Sequence, residues 1–251
     1  MAQSLPTVLL LGLPIVRATP PQIEEALEGI LGKEGATALF TPNAEMLTRA
    51  ARDPHAHHLL RGGDLLIPDG VGLVLYGRAA GVQNLWRFPG IELGEWVMGA
   101  AARGGLPVYL LGGEEGVADL AAERLRKRFP RLSVVGVHHG YVKKEEEAAL
   151  IEEIRRAKPR ILFVCMGFPR QEEWILGHRD QFPSLRLAMG LGGALDVWSG
   201  RVARAPRPMR RMGLEWLWRV LRSPKRIPRL RFLFPFCRRL LTAKRDTEYS
   251  P

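Results

Sequence analysis

The sequence predicts an α/β fold, a Rossmann-like doubly wound sheet of mostly parallel strands followed by a basic helical appendage. Short apolar runs alternate with longer segments of helical period, which is typical of parallel strands joined by crossover helices. The short runs do not alternate apolar with polar residues, as expected for strands buried on both faces. We therefore divide the 251 residues into an α/β domain, 1–203, and a C-terminal appendage, 204–251.

Seven apolar runs are the predicted strands. The first is interrupted by Pro14 and Arg17 and lacks a basic segment before it, so a strand is favoured over a signal peptide. The runs are Val8–Leu11, Ala38–Phe40, Leu65–Ile67, Val108–Leu111, Val134–Val137, Ile161–Met166 and Leu187–Leu191.

Three helices have clear end signals. Thr19 and Gln22 form a predicted capping box, with proline in the first turn, for a helix that continues through Leu31. The amphipathic segment 117–129 ends before a proline, and so does the segment 145–157.

The net charge of +11 is concentrated in the C-terminal part of the chain. Residues 201–251 contain 15 Lys and Arg against three acidic residues, a net charge of +12, whereas residues 1–200 carry −1. Positive charge confined to one segment indicates a polyanionic partner, which is a nucleic acid, an anionic membrane face or a phosphorylated substrate.

The remaining composition argues against several classes of protein. Cys165 and Cys237 are the two cysteines, and neither belongs to a C-x-x-C pair, so no disulfide framework is expected. No apolar stretch reaches the ~18 residues that span a bilayer. We expect a cytoplasmic protein, and the composition leaves binding to a membrane surface open.

Polar residues follow several predicted strands, at the sheet edge where doubly wound folds bind ligands. Thr41, followed by Pro42, is placed either to cap a helix or, with Asn43, to bind a sugar or phosphate. Asp69 follows the strand at Leu65–Ile67 and fits two roles equally, a helix cap or a general base for a sugar hydroxyl.

Two further loops join strands to helices. The glycines at 112 and 113 resemble part of a phosphate-binding loop, without the full G-x-G-x-x-G pattern or a P-loop lysine. In the segment 167–174, the acidic residues suit a first helical turn, while Gln171 could contact a base or sugar and Arg170 a phosphate.

The sequence does not favour a metal-dependent site. It has no Asp-x-Asp motif, and the two adjacent histidine pairs, at 57–58 and 138–139, point their side chains apart in a helix or a strand. We expect no cofactor and no essential metal. Arg, Lys and backbone N–H groups would then meet the charge of a diphosphate.

The appendage mixes aromatic with basic residues and is divided into short pieces by Pro224, Pro228 and Pro235. Trp216 and Phe234 among arginines suit a helix in the interface of an anionic membrane. The same pattern suits stacking on single-stranded nucleic acid, or packing of the apolar side chains on the α/β domain. These three interpretations stay open on the pattern alone.

Seven short motifs stand in order along nearly the whole chain. They are T-P-N-A-E at 41–45, P-D-G-V-G at 68–72, L-G-G at 111–113, G-F-P-R-Q-E-E-W at 167–174, G-L-G-G-A-L-D at 190–196, S-G-R-V-A-R-A-P at 199–206 and G-L-E-W-L-W-R at 213–219. Together they resemble the WecG/TagA/CpsF family of bacterial glycosyltransferases.

The resemblance implies a reaction and its partners. A UDP-sugar would donate N-acetylmannosamine or a related hexose to an undecaprenyl-diphosphate-linked sugar, with inversion and without an essential metal. Family members serve the synthesis of teichoic acid, enterobacterial common antigen and capsule or exopolysaccharide. The implied partners are the UDP-sugar, the polyprenyl-diphosphate acceptor and the anionic inner face of the cell membrane, with no nucleic acid. A homo-oligomer is left open.

The resemblance also implies roles for individual residues. Asp69 is expected to be the catalytic base, with Thr41, Asn43 and Arg87 also in the catalytic site. The expected UDP-binding residues are Gly112, Gly113, Gly167, Pro169, Gln171 and Glu172. The arginines expected to bind the lipid diphosphate, as the appendage folds over the pocket, are Arg219, Arg226 and Arg229.

One position departs from the family pattern. Around Arg87 the family usually reads R-x-x-G-x-D, whereas this chain reads R-F-P-G-I-E. Glu92 therefore stands where aspartate is usual, and the sequence assigns it no role.

Two other classes of protein fit parts of the sequence. A nucleic-acid-binding α/β protein would use the basic aromatic appendage to bind phosphates. A dinucleotide-dependent oxidoreductase would use the glycines at 112–116, but their incomplete pattern argues against it.

Overall fold

The computed structural model describes residues 5–222, 231–243 and 247–248. The strands in these ranges are β1 (Thr7–Leu10), β2 (Leu13–Val16), β3 (Thr37–Phe40), β4 (Leu65–Leu66), β5 (Val108–Gly112), β6 (Val134–His138), β7 (Ile161–Cys165), β8 (Leu187–Gly190) and β9 (Thr247–Glu248). The helices are α1 (Pro20–Leu31), α2 (Ala44–Ala50), α3 (Pro54–Arg61), α4 (Val71–Ala79), α5 (Gly90–Gly104), α6 (Val117–Arg128), α7 (Lys144–Ala157), α8 (Arg170–His178), α9 (Ala194–Trp198), α10 (Arg207–Arg211), α11 (Glu215–Arg222) and α12 (Leu233–Thr242), with a 3-10 helix at Arg179–Gln181.

The strands form one mixed sheet in the order β6-β5-β7-β8-β3-β4-β2-β1-β9. Every pairing from β6 to β2 is parallel, whereas β1 runs antiparallel to both of its neighbours. The doubly wound, mostly parallel α/β fold is confirmed. Within the described ranges, no helix combines the length and hydropathy that crossing a membrane requires.

Apolar side chains form two cores, one on each face of the sheet. Helices α1, α5, α6 and α9 contribute to one core, and α2, α3, α4, α7 and α8 to the other. The buried strands β5, β7 and β8 contribute to both cores, because successive side chains of a strand point to opposite faces. Their sequences lack alternation because neither face is solvated.

The N-terminal strand pair differs from the prediction. The chain forms a hairpin, in which Leu11 and Gly12 have φ angles of 53° and 72° and join β1 to β2. The predicted strand Val8–Leu11 corresponds to β1, but β2 was not predicted because Pro14 interrupts its apolar pattern. Positive φ angles at both turn residues are those of the tight turn that matches the twist of a hairpin.

The cap of α2 also differs from the prediction. We expected Thr41 as a candidate cap, but the helix begins at Ala44 and its cap is Asn43, whose Oδ1 accepts a hydrogen bond from Met46 N at 3.1 Å.

The other predicted strands agree with the structure within one residue at each end. The Thr19–Gln22 capping box is confirmed, with 2.9 Å from Thr19 N to Gln22 Oε1.

The described part of the appendage contacts the α/β domain. Phe236 of α12 is buried against Tyr76, with their ring centroids 6.3 Å apart, and Arg239 donates to the carbonyl of Ala51 at 3.2 Å. Strand β9 pairs with the edge strand β1. These contacts place α12 beside α2 and α4, the helices that follow β3 and β4.

Candidate active site

A cleft of about 300 Å³ lies at the carboxyl ends of the parallel strands. From β5 the chain passes outward to β6 and then returns to β7 on the other side, so the winding reverses between β5 and β7. Doubly wound folds bind ligands at such a reversal. The loops that follow β3, β4, β5, β6, β7 and β8 all contribute lining residues to this cleft.

Asp69 lines the cleft from the loop after β4. Its Oδ1 accepts a hydrogen bond from Gly90 N, the first residue of α5, at 2.6 Å. The carboxylate thus caps the helix that begins at Gly90, rather than α4, which directly follows it. Capping holds one oxygen in a fixed position at the edge of the cleft. The two roles considered from the sequence, helix cap and general base, are compatible in this geometry.

Thr41 and Asn43 line the cleft beside Asp69. Thr41 is buried, and its Oγ1 is 3.4 Å from the carbonyl oxygen of Gly190, to which it donates. A Cβ added at Gly90 would lie 2.8 Å from this Oγ1, so a glycine is required where α5 begins close to Thr41. The side chain of Asn43 is used in part to cap α2.

The glycine pair after β5 offers fewer anion-binding groups than we expected from the sequence. Gly113 lines the cleft, but its N–H donates to the carbonyl of Cys165 at 3.3 Å, and Gly112 belongs to β5 and does not line the cleft. A Cβ at Gly112 would lie 2.4 Å from Cys165 O. The close approach of two strand ends therefore accounts for the glycine at this position.

Gln171 fixes two loops of the cleft. Its Oε1 accepts from Gly167 N at 3.1 Å and from Gly192 N at 2.8 Å, and its Nε2 donates to Glu172 Oε1 at 2.9 Å. Gly167 and Gln171 line the cleft, whereas the side chain of Glu172 is fully buried behind it. Pro169, the cap residue of α8, also stands outside the lining.

Arg87 points toward the appendage and does not line the cleft. Its Nη2 donates to the carbonyl of Arg210, near the end of α10, at 3.0 Å. The neighbouring Phe88 N donates to Pro68 O at 2.8 Å, so Arg87 stands close to the loop that carries Asp69. Arg87 thereby connects the loop that carries Asp69 to α10.

Glu92 has a defined partner in the structure, although the sequence assigned it none. Its Oε1 is 2.6 Å from Arg204 Nη2 and 3.8 Å from Arg210 Nη1, and Arg204 Nε is 3.5 Å from Glu215 Oε1. Arg204 and Glu215 are largely shielded from solvent. This Glu92 network connects the first turn of α5, which Asp69 caps, to α10 and α11.

Three further arginines were expected to bind the lipid diphosphate. Arg219 lies in α11, and Arg226 and Arg229 lie outside the described residues.

Several lining residues were not singled out from the sequence. Tyr141 is exposed and has the Arg170 guanidinium 5.9 Å from its ring centroid, while Arg170 Nη2 donates to Gly140 O at 2.9 Å. Asp196 lines the cleft from α9. The motif at 190–196 contained the aspartate, but only the fold shows which residues of the motif face the cleft.

The cleft wall is rich in carboxylates. Its lining in the described part of the chain includes Glu45, Asp69, Glu114 and Asp196, against the single guanidinium of Arg170. Among residues 5–222, 231–243 and 247–248, no group of three or more His, Cys, Asp or Glu side chains is arranged to hold a metal ion.

Comparisons with known proteins show the family to which the chain belongs. The family described as "Glycosyl transferase WecG/TagA/CpsF family" matches residues 8–249. Proteins of Staphylococcus aureus strains MW2 and MRSA252, both named N-acetylglucosaminyldiphosphoundecaprenol N-acetyl-beta-D-mannosaminyltransferase, are each 34% identical over 238 residues, which is 94% of this chain and 92% of the relative. The chain therefore belongs to the WecG/TagA/CpsF family and is a glycosyltransferase.

Proposed function

We propose that this glycosyltransferase moves N-acetylmannosamine or a related hexose from a UDP-sugar to a sugar linked to undecaprenyl diphosphate, in the synthesis of cell-surface polymers such as teichoic acid. The names of the staphylococcal relatives support the acceptor class and the transferred sugar. The transfer inverts the anomeric carbon and needs no essential metal and no cofactor.

The observation that carries the proposal is the position of Asp69. Its carboxylate accepts a hydrogen bond from Gly90 N and lines the cleft. The glycine-containing loops after β5, β7 and β8 line the same cleft. An acceptor hydroxyl that attacks the anomeric carbon must lose a proton, and a carboxylate held in place is a suitable acceptor for it. A single displacement with one base and no covalent intermediate leads to inversion.

The donor is proposed to bind at the loops after β5, β7 and β8. Gly113, Gly167 and Gly192 let the nucleotide approach the backbone, and Arg170 supplies a positive charge beside the exposed ring of Tyr141. Asp69 stands on the opposite side, where the acceptor would enter. Transfer would then occur between these two regions.

The departing UDP needs more positive charge than the α/β domain provides. Arg170 is the guanidinium that lines the cleft among the described residues, whereas residues 201–251 carry +12. We therefore propose that Arg219, Arg226 and Arg229 bind the lipid diphosphate and neutralise the departing UDP as the appendage covers the cleft. Arg87, which already donates to α10, is proposed to act at the same junction.

The appendage is also proposed to bind the anionic inner face of the cell membrane. Several apolar side chains of α11 and α12 are exposed among arginines. Apolar insertion together with attraction to anionic lipid is typical of helices that lie in the interface. The location is thus proposed to be cytoplasmic and peripheral to the membrane.

A transfer assay tests the proposed function. The protein is incubated with a short-chain polyprenyl-diphosphate-GlcNAc as acceptor and one UDP-sugar at a time as donor. The mass of the product is then measured. We expect one UDP-hexosamine to yield a product heavier by one sugar, also in the presence of a chelator. No product with any donor would contradict the proposal. A thermal-shift comparison of UDP, NAD and an oligonucleotide separates it from the dinucleotide and nucleic-acid alternatives.

A further inference from the structure

Glu172 is a buried carboxyl group behind the cleft. Its side chain is fully shielded from solvent, and Oε1 accepts from Gln171 Nε2 at 2.9 Å. The other oxygen, Oε2, has no hydrogen-bond partner among the described residues. A buried carboxyl with an unsatisfied oxygen is costly, and an apolar side chain of similar size would avoid that cost. Packing alone therefore does not explain a carboxyl group here.

Gln171 is the group that Glu172 holds. A terminal amide rotates easily and can exchange its oxygen for its nitrogen. That rotation would turn the NH₂ of Gln171 toward the N–H groups of Gly167 and Gly192, which both need an acceptor. The bond from Nε2 to Glu172 forms only when Oε1 faces the two glycines. A Cβ at Gly190 would lie 2.8 Å from Nε2, so the backbone there leaves room for this orientation.

We propose that Glu172 is a positioning residue, which fixes the amide of Gln171 and through it the two glycine loops on the UDP side of the cleft. The inference rests on the proposed function, because it concerns the loops after β7 and β8 where the donor is proposed to bind. Glu172 itself does not contact the ligand, since its side chain is outside the lining.

The charges around Glu172 are compatible with this role. The pKa of Glu172 is raised to about 7, mainly by burial and to a smaller extent by the nearby Glu173, against the opposing hydrogen bond from Gln171 and the attraction of Arg49 on α2. Glu173 itself pairs with His55 of α3 at 2.8 Å. Both the protonated and the ionised carboxyl keep an oxygen that accepts from Gln171. An uncharged glutamine at position 172 should therefore keep the hydrogen bond to Gln171, whereas an apolar residue should lose it.

The test compares Glu172→Met, Glu172→Gln and the matched control Glu173→Gln in the full-length protein. Titration calorimetry measures the Kd of UDP, and amide hydrogen exchange measures protection at Gly167 and Gly192. We expect Glu172→Met to raise the Kd about tenfold, as expected for one lost hydrogen bond, and to accelerate exchange at both glycines. Glu172→Gln is expected to stay within about twofold of the wild type, and Glu173→Gln to be unchanged.

An unchanged Kd of UDP and unchanged amide protection in Glu172→Met would overturn the inference. A Glu172→Gln variant whose UDP affinity and amide protection fall as far as those of the Met variant would also overturn it. If the Met variant does not fold, Glu172→Asp gives the same test, because the shorter carboxyl no longer reaches Gln171. A wild-type protein that does not bind UDP contradicts the proposed function instead. In that case the amide exchange data still decide the role of Glu172.

Discussion

The α/β domain buries most of its large apolar side chains, whereas the C-terminal helices leave several of theirs in solvent. Strands β5, β7 and β8 are buried along their whole length. In the appendage, Phe234 is 78% exposed and Leu241 87% exposed. Exposed apolar residues grouped on one short region indicate a surface that binds something apolar. The core thus lies largely in the α/β part of the chain, to which α12 adds Phe236, while other apolar side chains of the C-terminal helices form a surface.

The same two regions differ in charge. Four carboxylates and one guanidinium line the cleft, and the residues from 201 onward carry 15 basic side chains. We propose that the appendage supplies the positive charge that meets the departing diphosphate in the transition state. We therefore propose a divided site, with the base and the nucleotide loops in the α/β domain and the phosphate-binding charges in the appendage.

The largest expected effect concerns Asp69, the proposed base. General base catalysis contributes typically ~10²–10⁴-fold, so Asp69→Asn should lower turnover by at least ~10²-fold. The asparagine oxygen can still accept from Gly90 N, so the fold and the Kd of UDP should change little. Steady-state kinetics and calorimetry measure the two quantities.

Asp180→Asn is the matched control for this variant, because the side chain of Asp180 is 87% exposed and away from the cleft. It should keep wild-type turnover. Near-wild-type turnover in Asp69→Asn would remove Asp69 from the role of base.

A second prediction concerns the apolar surface of the appendage. Full burial of a Phe or Leu side chain is worth about 1.5–3 kcal/mol, so Phe234→Ser combined with Leu241→Ser should weaken binding to anionic vesicles at least tenfold. Both side chains are largely exposed, so the melting temperature should stay the same. Vesicle co-sedimentation is the measurement. Equal binding by the double variant would mean that these two side chains do not enter the membrane.

A smaller effect is expected at the junction of the two regions. Glu92→Gln removes the charge that holds Arg204, and one hydrogen bond between charged groups is worth about 1.5–3 kcal/mol. The segment 207–222 should therefore exchange its amide hydrogens roughly tenfold faster. Glu95→Gln is the control, since Glu95 lies on the same helix but pairs with Arg128 at 2.7 Å. Equal exchange rates in the two variants would show that the Glu92 network does not hold the appendage.

The smallest expected effect concerns chemical modification of the two cysteines. Cys165 lies in the α/β domain and Cys237 in the appendage. Burial raises the pKa of Cys165 to about 12, so only ~10⁻⁴ of its thiol is ionised at pH 8. Cys237 on α12 is exposed. Iodoacetamide should therefore modify Cys237 in the native protein and Cys165 only after unfolding in urea. Mass spectrometry gives the site. Anionic vesicles should slow the modification of Cys237, and an unchanged rate would argue against α12 lying on the membrane.

The sequence predicted the fold well because buried parallel strands have a clear apolar signature. It missed β2 for two reasons. Pro14 interrupts the apolar run, and the hairpin turn at Leu11 and Gly12 contains only one glycine, which is a weak turn signal. It offered Thr41 as a candidate cap of α2, because Pro42 suggested an earlier helix start, whereas the cap is Asn43. Such errors arise where several residue types satisfy the same local rule.

The site was predictable in part. Spacing placed Asp69 and Gln171 at strand ends, but it could not show that Asp69 caps a helix 21 residues further along the chain. Gln171 lines the cleft, whereas Glu172 is buried behind it. Which of these two neighbours faces the cleft depends on the rotation of α8 against the sheet. The partners of Glu92 come from the appendage, and no local pattern joins residues 92 and 204.

The most direct test of the divided site removes phosphate-binding charge from the appendage while the α/β domain stays intact. Arg219→Gln, Arg226→Gln and Arg229→Gln are combined in the full chain, and transfer to a short-chain acceptor is measured by product mass in detergent. Arg207→Gln, Arg211→Gln and Arg238→Gln, which are exposed positions, form a control with the same loss of charge. We predict that the first triple variant loses at least ~10²-fold in transfer, while its Kd for UDP stays within threefold, as expected for groups that act in the transition state. Transfer at the wild-type rate, or equal losses in the two triple variants, would contradict the divided site.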